Sequence, residues 1–68
     1  MITWYAYRDY SSGEPDARAY QCIVLLCMDG QHRASVYRQG YLLETTVVGS
    51  DAEGRYWCEA TFERVRRP

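Results

Sequence analysis

The residues best suited to chemistry in this sequence are one histidine and three cysteines. His32 is the only histidine, and Cys22, Cys27 and Cys58 are the only thiols. A histidine beside a thiol or a carboxylate can transfer protons, and a small ribonuclease using His32 is the best enzymatic alternative. His32 follows a predicted turn, however, and lies opposite Cys27, an arrangement typical of a histidine at the rim of a core that contains a buried thiol. We therefore expect no catalytic residue and no enzymatic activity.

The cysteines are also poorly spaced for a metal. Four residues separate Cys22 from Cys27, which is the upper end of the usual zinc-ligand spacing, and on one strand these two side chains point to opposite faces. An odd number of cysteines cannot form a closed disulfide framework, so we expect reduced thiols in a core. The glycines occur singly in turns, without a phosphate-binding loop. The sequence thus predicts no metal and no cofactor.

The charges are divided between an acidic body and a basic tail. All eight basic residues are arginines, and three of them, Arg64, Arg66 and Arg67, lie in the last five positions. The rest of the chain carries nine acids against five arginines, a net charge of −4. An acidic body argues against direct nucleic-acid binding, although the chain has five aromatic residues that are suited to base stacking. These are Trp4, Tyr5, Tyr7, Tyr37 and Trp57.

Regular turn signals divide the chain into short apolar segments rich in Tyr, Val, Ile and Thr, which are typical of strands. The turns are expected at residues 11–16, at Asp29-Gly30, at Gln39-Gly40 and at residues 49–54. The segments between them are Thr3–Tyr7, Tyr20–Met28, His32–Arg38, Tyr41–Val48 and Arg55–Arg64. We predict one domain, residues 1–68, that is mainly β, with a single antiparallel meander sheet of four to five strands.

One segment has two interpretations. Pro15 and the acids beside it are typical of a helix start, and Gly30 is a suitable helix end. Residues 15–28 therefore form either part of the sheet or one helix, which gives an α+β fold. Ile23, Val24 and the Asp29-Gly30 turn favour a strand.

Two-residue turns set the expected strand registers. With Gln39-Gly40 as such a turn, Arg38 pairs with Tyr41, Tyr37 with Leu42 and Val36 with Leu43. With Asp29-Gly30 also a tight turn, Ile23 and Leu25 share the face of Ala34 and Val36.

The expected strand pairing brings acidic residues together on the outer face of the sheet. If Gln39-Gly40 is a tight turn and Val47 pairs with Tyr56, Glu44 lies opposite Glu59. Like charges in that position destabilise a sheet by up to about 1 kcal/mol, so they suggest a binding function. The predicted partner-binding residues are three acids of this face, two acids of the adjoining loop and one aromatic anchor. They are Glu44, Glu59, Glu63, Asp51, Glu53 and Trp57.

In length, in its compact β-rich body and in the acids around Glu44, Glu59 and Glu63, the chain resembles the very small phage-encoded anti-CRISPR proteins that act on type I systems. The resemblance implies a non-enzymatic inhibitor that docks an acidic surface on a basic, DNA-binding subunit of a CRISPR surveillance complex, in the manner of a DNA mimic. The chain has no motif by which this resemblance could assign a role to a particular residue. The Arg64–Arg67 tail is a departure from a purely acidic mimic.

The alternative is a small dimerising regulatory or antitoxin-like interaction module. Such a module is expected to use an exposed strand edge, or Leu42 and Val48, as its contact. Either way the partner is a protein, with no membrane involved, and the chain itself is a monomer or a weak dimer. No apolar run approaches the roughly 18 residues that a membrane span needs, and residues 1–5 do not resemble a signal peptide. With reduced thiols, this predicts a location in the cytoplasm of a bacterial host cell.

Overall fold

The computed structural model describes residues 1–10 and 19–66 and combines one sheet with one helix. The four strands form an antiparallel meander in the order β1-β2-β3-β4, which confirms the predicted mainly β architecture. The helix follows the sheet, so the fold is α+β. The elements are β1 (Ile2–Asp9), β2 (Ala19–Leu26), β3 (His32–Arg38), β4 (Tyr41–Val48) and α1 (Asp51–Val65). Among the described residues, no helix is long and apolar enough to cross a membrane.

The helix lies at the end of the chain and not at the position considered from the sequence. A helix within residues 15–28 is wrong for residues 19–26, which form β2, and residues 15–18 lie outside the described residues. The predicted fifth strand, Arg55–Arg64, is also wrong, because this segment belongs to α1. Its buried residues are spaced for a helix rather than a strand: Gly54, Cys58, Thr61 and Phe62 lie three or four positions apart or adjacent, on one helical face.

Local capping explains why residues 51–65 form a helix. The Ser50 side chain accepts a hydrogen bond from the Glu53 amide at 3.1 Å, and the Glu53 carboxylate accepts one from the Gly49 amide at 3.1 Å. These reciprocal bonds form a variant of the capping box, and Asp51 and Glu53 favour the positive end of the helix dipole. Residues 49–54, predicted as a turn between two strands, therefore contain a helix start.

The turn between β2 and β3 shifts the register by one residue from the predicted one. The Gly30 amide donates to the Cys27 carbonyl and the Cys27 amide donates to the Gln31 carbonyl, so the loop has three residues, with Gly30 at φ 85°. Ile23 therefore pairs with Ser35 and not with Val36. A shift of one residue exchanges the faces of a strand. Cys22 and Val24, rather than Ile23 and Leu25, share the face of Ala34 and Val36.

The turn between β3 and β4 is the tight turn that was predicted, but a bulge follows it. Gln39 and Gly40 both have positive φ, 51° and 83°, as a two-residue hairpin turn of this hand requires. Arg38 pairs with Tyr41 and Tyr37 with Leu42 as expected, and the register then shifts so that Val36 pairs with Glu44. The extra residue is Leu43, and the predicted pairing of Val36 with Leu43 is wrong.

The core lies between the sheet and α1, and a disulfide joins these two layers. Cys22 on β2 and Cys58 on α1 are fully buried and bonded to each other, at a separation of 36 positions in sequence. In the chain-entropy model, closing a loop of this size stabilises the fold by about 4 kcal/mol. The expectation of three reduced thiols is wrong for this pair, and Cys27 alone is a free thiol. The thiol argument for a cytoplasmic location no longer holds, and the location stays a prediction.

The helix approaches the sheet closely at Gly54. A Cβ atom at this position would lie 2.9 Å from both γ-methyl groups of Val24. Valine is stiff at χ1 and fully buried here, so it cannot move aside. A glycine within a helix normally costs about 1 kcal/mol relative to alanine. At this position the absence of a side chain lets α1 pack directly on β2.

We expect Gly54→Ala to destabilise the protein although it raises helix propensity. Overpacking against Val24 costs about 1–3 kcal/mol and offsets the propensity gain of about 1 kcal/mol, so the free energy of unfolding falls by up to about 2 kcal/mol. Urea denaturation measures it. Ala52→Gly, at an exposed helix position, reports the propensity effect alone, and Val24→Ala added to Gly54→Ala should relieve part of the cost. Stabilisation by Gly54→Ala would contradict the close contact.

Candidate protein-docking surface

The acidic sheet face predicted from the sequence is not formed, because most of its residues lie on the helix. Of the six predicted partner-binding residues, only Glu44 lies on a strand, β4. Glu59 does not face it across the sheet, so the predicted like-charge pair is wrong. The other five residues all lie on α1, namely Asp51, Glu53, Trp57, Glu59 and Glu63. The helix therefore gathers acids that the predicted pairing had spread over a sheet and a loop.

Two of these acids form ion pairs between the helix and the sheet. Glu44 on β4 accepts from Arg64 of α1 at 2.7 Å, and Glu59 of α1 accepts from Arg8 on β1 at 3.0 Å. The Arg64 hydrogen bond, with the charge of the guanidinium, lowers the pKa of Glu44 below its ordinary value of 4.5. Both acids thus join the helix to the two outer strands, on opposite sides of α1.

The acids at the helix start have structural partners as well. The Asp51 carboxylate accepts from the Thr3 hydroxyl of β1 and from Arg55 at 2.7 Å. The Thr3 hydrogen bond lowers the pKa of Asp51 most, and the charges of Arg55 and His32 add to it. Glu53 completes the helix cap described above. These two carboxylates hold the start of α1 against β1 and close its first turn.

The remaining two predicted residues differ from each other in exposure. Glu63 lies 3.6 Å from Arg66, both at the surface. Trp57, predicted as an exposed anchor, is half-buried and packs against the core. The exposed aromatic residue of the helix is its neighbour Tyr56, at 79%. The outer surface of α1 thus carries Glu59 and Glu63, each paired with an arginine, and its exposed ring is Tyr56 rather than Trp57.

The second surface of interest is the face of the sheet that α1 does not cover, which we call the open face. Strand pairing arranges its side chains in three rows of four, one residue from each strand in each row. The first row is Tyr7, Gln21, Tyr37 and Leu42. The middle row is Tyr5, Ile23, Ser35 and Thr45. The third row is Ile2, Leu25, Arg33 and Val47.

The open face is unusually apolar for a surface in water. Eight of its twelve side chains are aliphatic or aromatic and one, Arg33, is charged. The solvent face of an antiparallel sheet normally alternates to polar residues. Ile2, Tyr5, Tyr7, Leu42 and Val47 are each about half exposed, from 48% to 57%. A contiguous apolar patch of this kind usually marks a site of interaction.

The polar groups in the middle of the open face are already hydrogen-bonded. The Ser35 and Thr45 hydroxyls lie 2.9 Å apart, and the Thr45 hydroxyl lies 3.1 Å from the Ala34 carbonyl. With Thr45 donating to that carbonyl and Ser35 donating to Thr45, both hydroxyl protons have acceptors. Burying these groups under a partner would therefore leave neither donor unsatisfied, which is the main cost of burying hydroxyls.

The residues considered for chemistry are not brought together. His32 pairs with Leu26 and Val48 rather than lying opposite Cys27, and within the described chain its Nδ1 is buried without a hydrogen-bond partner. Residues 1–10 and 19–66 contain no group of three metal-ligating side chains and form no concave pocket. The described surface thus offers a broad face rather than a cleft.

Comparisons with protein-family models, with curated proteins and with solved structures found no match for this chain.

The open face could not be predicted from the sequence, because the residues that share it depend on the register between the strands. A strand at residues 55–64 and a β2–β3 loop one residue too short together predict Ile23 and Leu25 on the face of Ala34 and Val36. One signal was present. Tyr5 and Tyr7 alternate with the small residue Ala6 on β1, and this spacing puts both rings on the face opposite Ala6.

The Glu44–Arg64 pair predicts a pH dependence of stability. Because the folded state lowers the pKa of Glu44, the pair contributes fully above pH 4.5, and its contribution is lost as the pH falls through the lower folded value. Denaturation between about pH 6 and about pH 3 should show a shallower loss of stability for Glu44→Gln than for the unmodified chain. Arg64→Gln should flatten the curve in the same way. Equal slopes in all three proteins would contradict the pairing.

Proposed function

We propose that this protein is a non-enzymatic interaction module that docks the open face of its sheet on a protein surface. The observation that carries the proposal is the composition of that face, which has one charged residue among twelve positions. A sheet face evolved only to meet water would carry more charge.

The energetics of burial support the same role. Completing the burial of a side chain that is already half-buried stabilises a complex by about 1 kcal/mol, and five side chains of the open face are half exposed. Tyrosine is among the residues enriched at binding hot spots, since it adds area with little loss of rotamer entropy. Tyr5 and Tyr7 lie side by side on β1 and Tyr37 lies across the same row as Tyr7.

A protein fits this face better than a nucleic acid does. Stacking on Tyr5, Tyr7 and Tyr37 would suit bases, but phosphate contacts need several cations near the rings. The open face has only Arg33 at its twelve positions, and the chain is acidic overall, with a net charge of −1.

A second candidate uses the outer surface of α1. Its supporting observation is that Asp51, Glu53, Glu59 and Glu63 all lie on one helix, against two arginines of the same helix. Such a surface could dock on a basic, nucleic-acid-binding subunit, as the resemblance to anti-CRISPR proteins implies. Three of these carboxylates already contact arginines, which weakens this candidate relative to the open face.

Site-specific photo-crosslinking compares the two surfaces. A benzophenone amino acid replaces Tyr5 on the open face in one variant and Tyr56 on α1 in another, and both proteins are irradiated in the cells that produce them. Tyr56 is a matched control, since both positions are exposed tyrosines, at 52% and 79%. We expect a discrete protein adduct from position 5, lost when Val47→Glu is added, and none from position 56.

The outcomes separate the candidates. An adduct from position 56 alone would overturn the open-face proposal in favour of the helix surface. Discrete adducts from neither position would overturn both. Mass spectrometry of the adduct identifies what was bound.

A further inference from the structure

We propose that the occupant of the open face is a second copy of this chain, so that two sheets pack face to face with both helices outside. This inference rests on the proposed docking role of the open face and adds the identity of the partner. It places α1 of each copy, with its acids, on the outer surface of a dimer.

The size of the face fits one standard interface. Four strands and three rows of side chains span about 20 Å by 20 Å at normal sheet spacings, and side chains of this type and exposure present on the order of 700 Å². A stable interface takes about 800 Å² from each partner. Two such faces would bury each other almost completely, at the spacing of about 10 Å that packed sheets adopt.

The charge pattern selects one way of pairing the faces. A two-fold axis along the strands would place the two copies of Arg33 near each other at one end of the interface. An axis across the strands, through the middle row, instead lays the third row of one copy on the first row of the other. Each Arg33 then faces Tyr37 of the second copy, where a guanidinium can stack on the ring, and the like charges lie at opposite ends.

The same axis makes the rest of the face self-complementary. Val47 faces Leu42 of the second copy, and Ile2 faces Tyr7. In the middle row each residue faces its own counterpart, and there the hydroxyls of Ser35 and Thr45 bond each other within one copy. Leu25 faces Gln21, and this is the one place where a polar side chain meets an apolar one. An isologous interface requires a surface that matches its own copy in this way.

The test is sedimentation of the purified full chain, using the predicted contact of Val47 with Leu42. Both residues are about half exposed on β4, so charged substitutions there should leave the fold intact, which circular dichroism checks. The unmodified chain should dimerise. Val47→Glu alone and Leu42→Lys alone should each weaken dimerisation at least about tenfold. Mixing the two variant chains should restore the dimer, because each introduced acid then faces an introduced lysine.

Tyr56→Glu on α1 is the control and should leave the dimer unchanged. A monomeric unmodified chain at every concentration would overturn the second copy as occupant, and so would a dimer broken by Tyr56→Glu but not by the β4 variants. Failure of the mixed chains to reassociate would overturn the proposed axis. If the chain is monomeric yet gives adducts from position 5 with another protein, the docking proposal stands. If it is monomeric and gives no adducts, both proposals fail.

Discussion

The fold depends on the close contact between one helix and one face of a four-stranded sheet. Gly54 lets α1 approach β2 at Val24, and the Cys22–Cys58 disulfide joins the same two elements one helical turn further along. Phe62 fills the remaining space and is almost fully buried. A sheet has two faces, however, and within the described residues there is one helix to cover them. Within the described residues, the open face, with its eight aliphatic or aromatic side chains, is therefore left without a covering helix.

Electrostatic contacts orient the helix that packing holds in place. Arg8 pairs with Glu59 and its guanidinium lies 5.5 Å from the ring centre of Phe62, while Arg64 pairs with Glu44 on the other side of α1. Exposed ion pairs of this kind contribute little each, but two pairs on opposite sides restrict the angle at which α1 crosses the sheet. The acids that suggested a docking surface from the sequence thus have a structural role, and their role toward a partner stays a prediction.

The elements that could be predicted from the sequence are those with strong local signals. Alternating β-branched and aromatic residues and the turn at Gln39-Gly40 were enough to predict four antiparallel strands in meander order. The helix could not be distinguished, because Cys58, Ala60 and Phe62 alternate as a strand does while Cys58 and Phe62 are also four residues apart. The Ser50 and Glu53 cap was the available signal, hidden in a segment that resembled a turn. The predicted strand registers were wrong where one extra residue decides the pairing, at the Gly30 loop and at Leu43. The predicted acidic sheet face was wrong as well, because it depended on the predicted strand pairing.

These features combine into one proposed physical picture, in which the described part of the chain covers one face of its sheet and the other face is buried by association with a second copy. Isotope-filtered NMR on a mixture of labelled and unlabelled chains tests this most directly. Contacts between copies should connect the Val47 methyl groups with Leu42 and the Tyr5 ring with its counterpart, and none should involve Tyr56. Two results would contradict the claim that the open face binds a second copy of this chain. One is intermolecular contacts confined to the helix, and the other is a complete absence of intermolecular contacts at concentrations where the protein is folded.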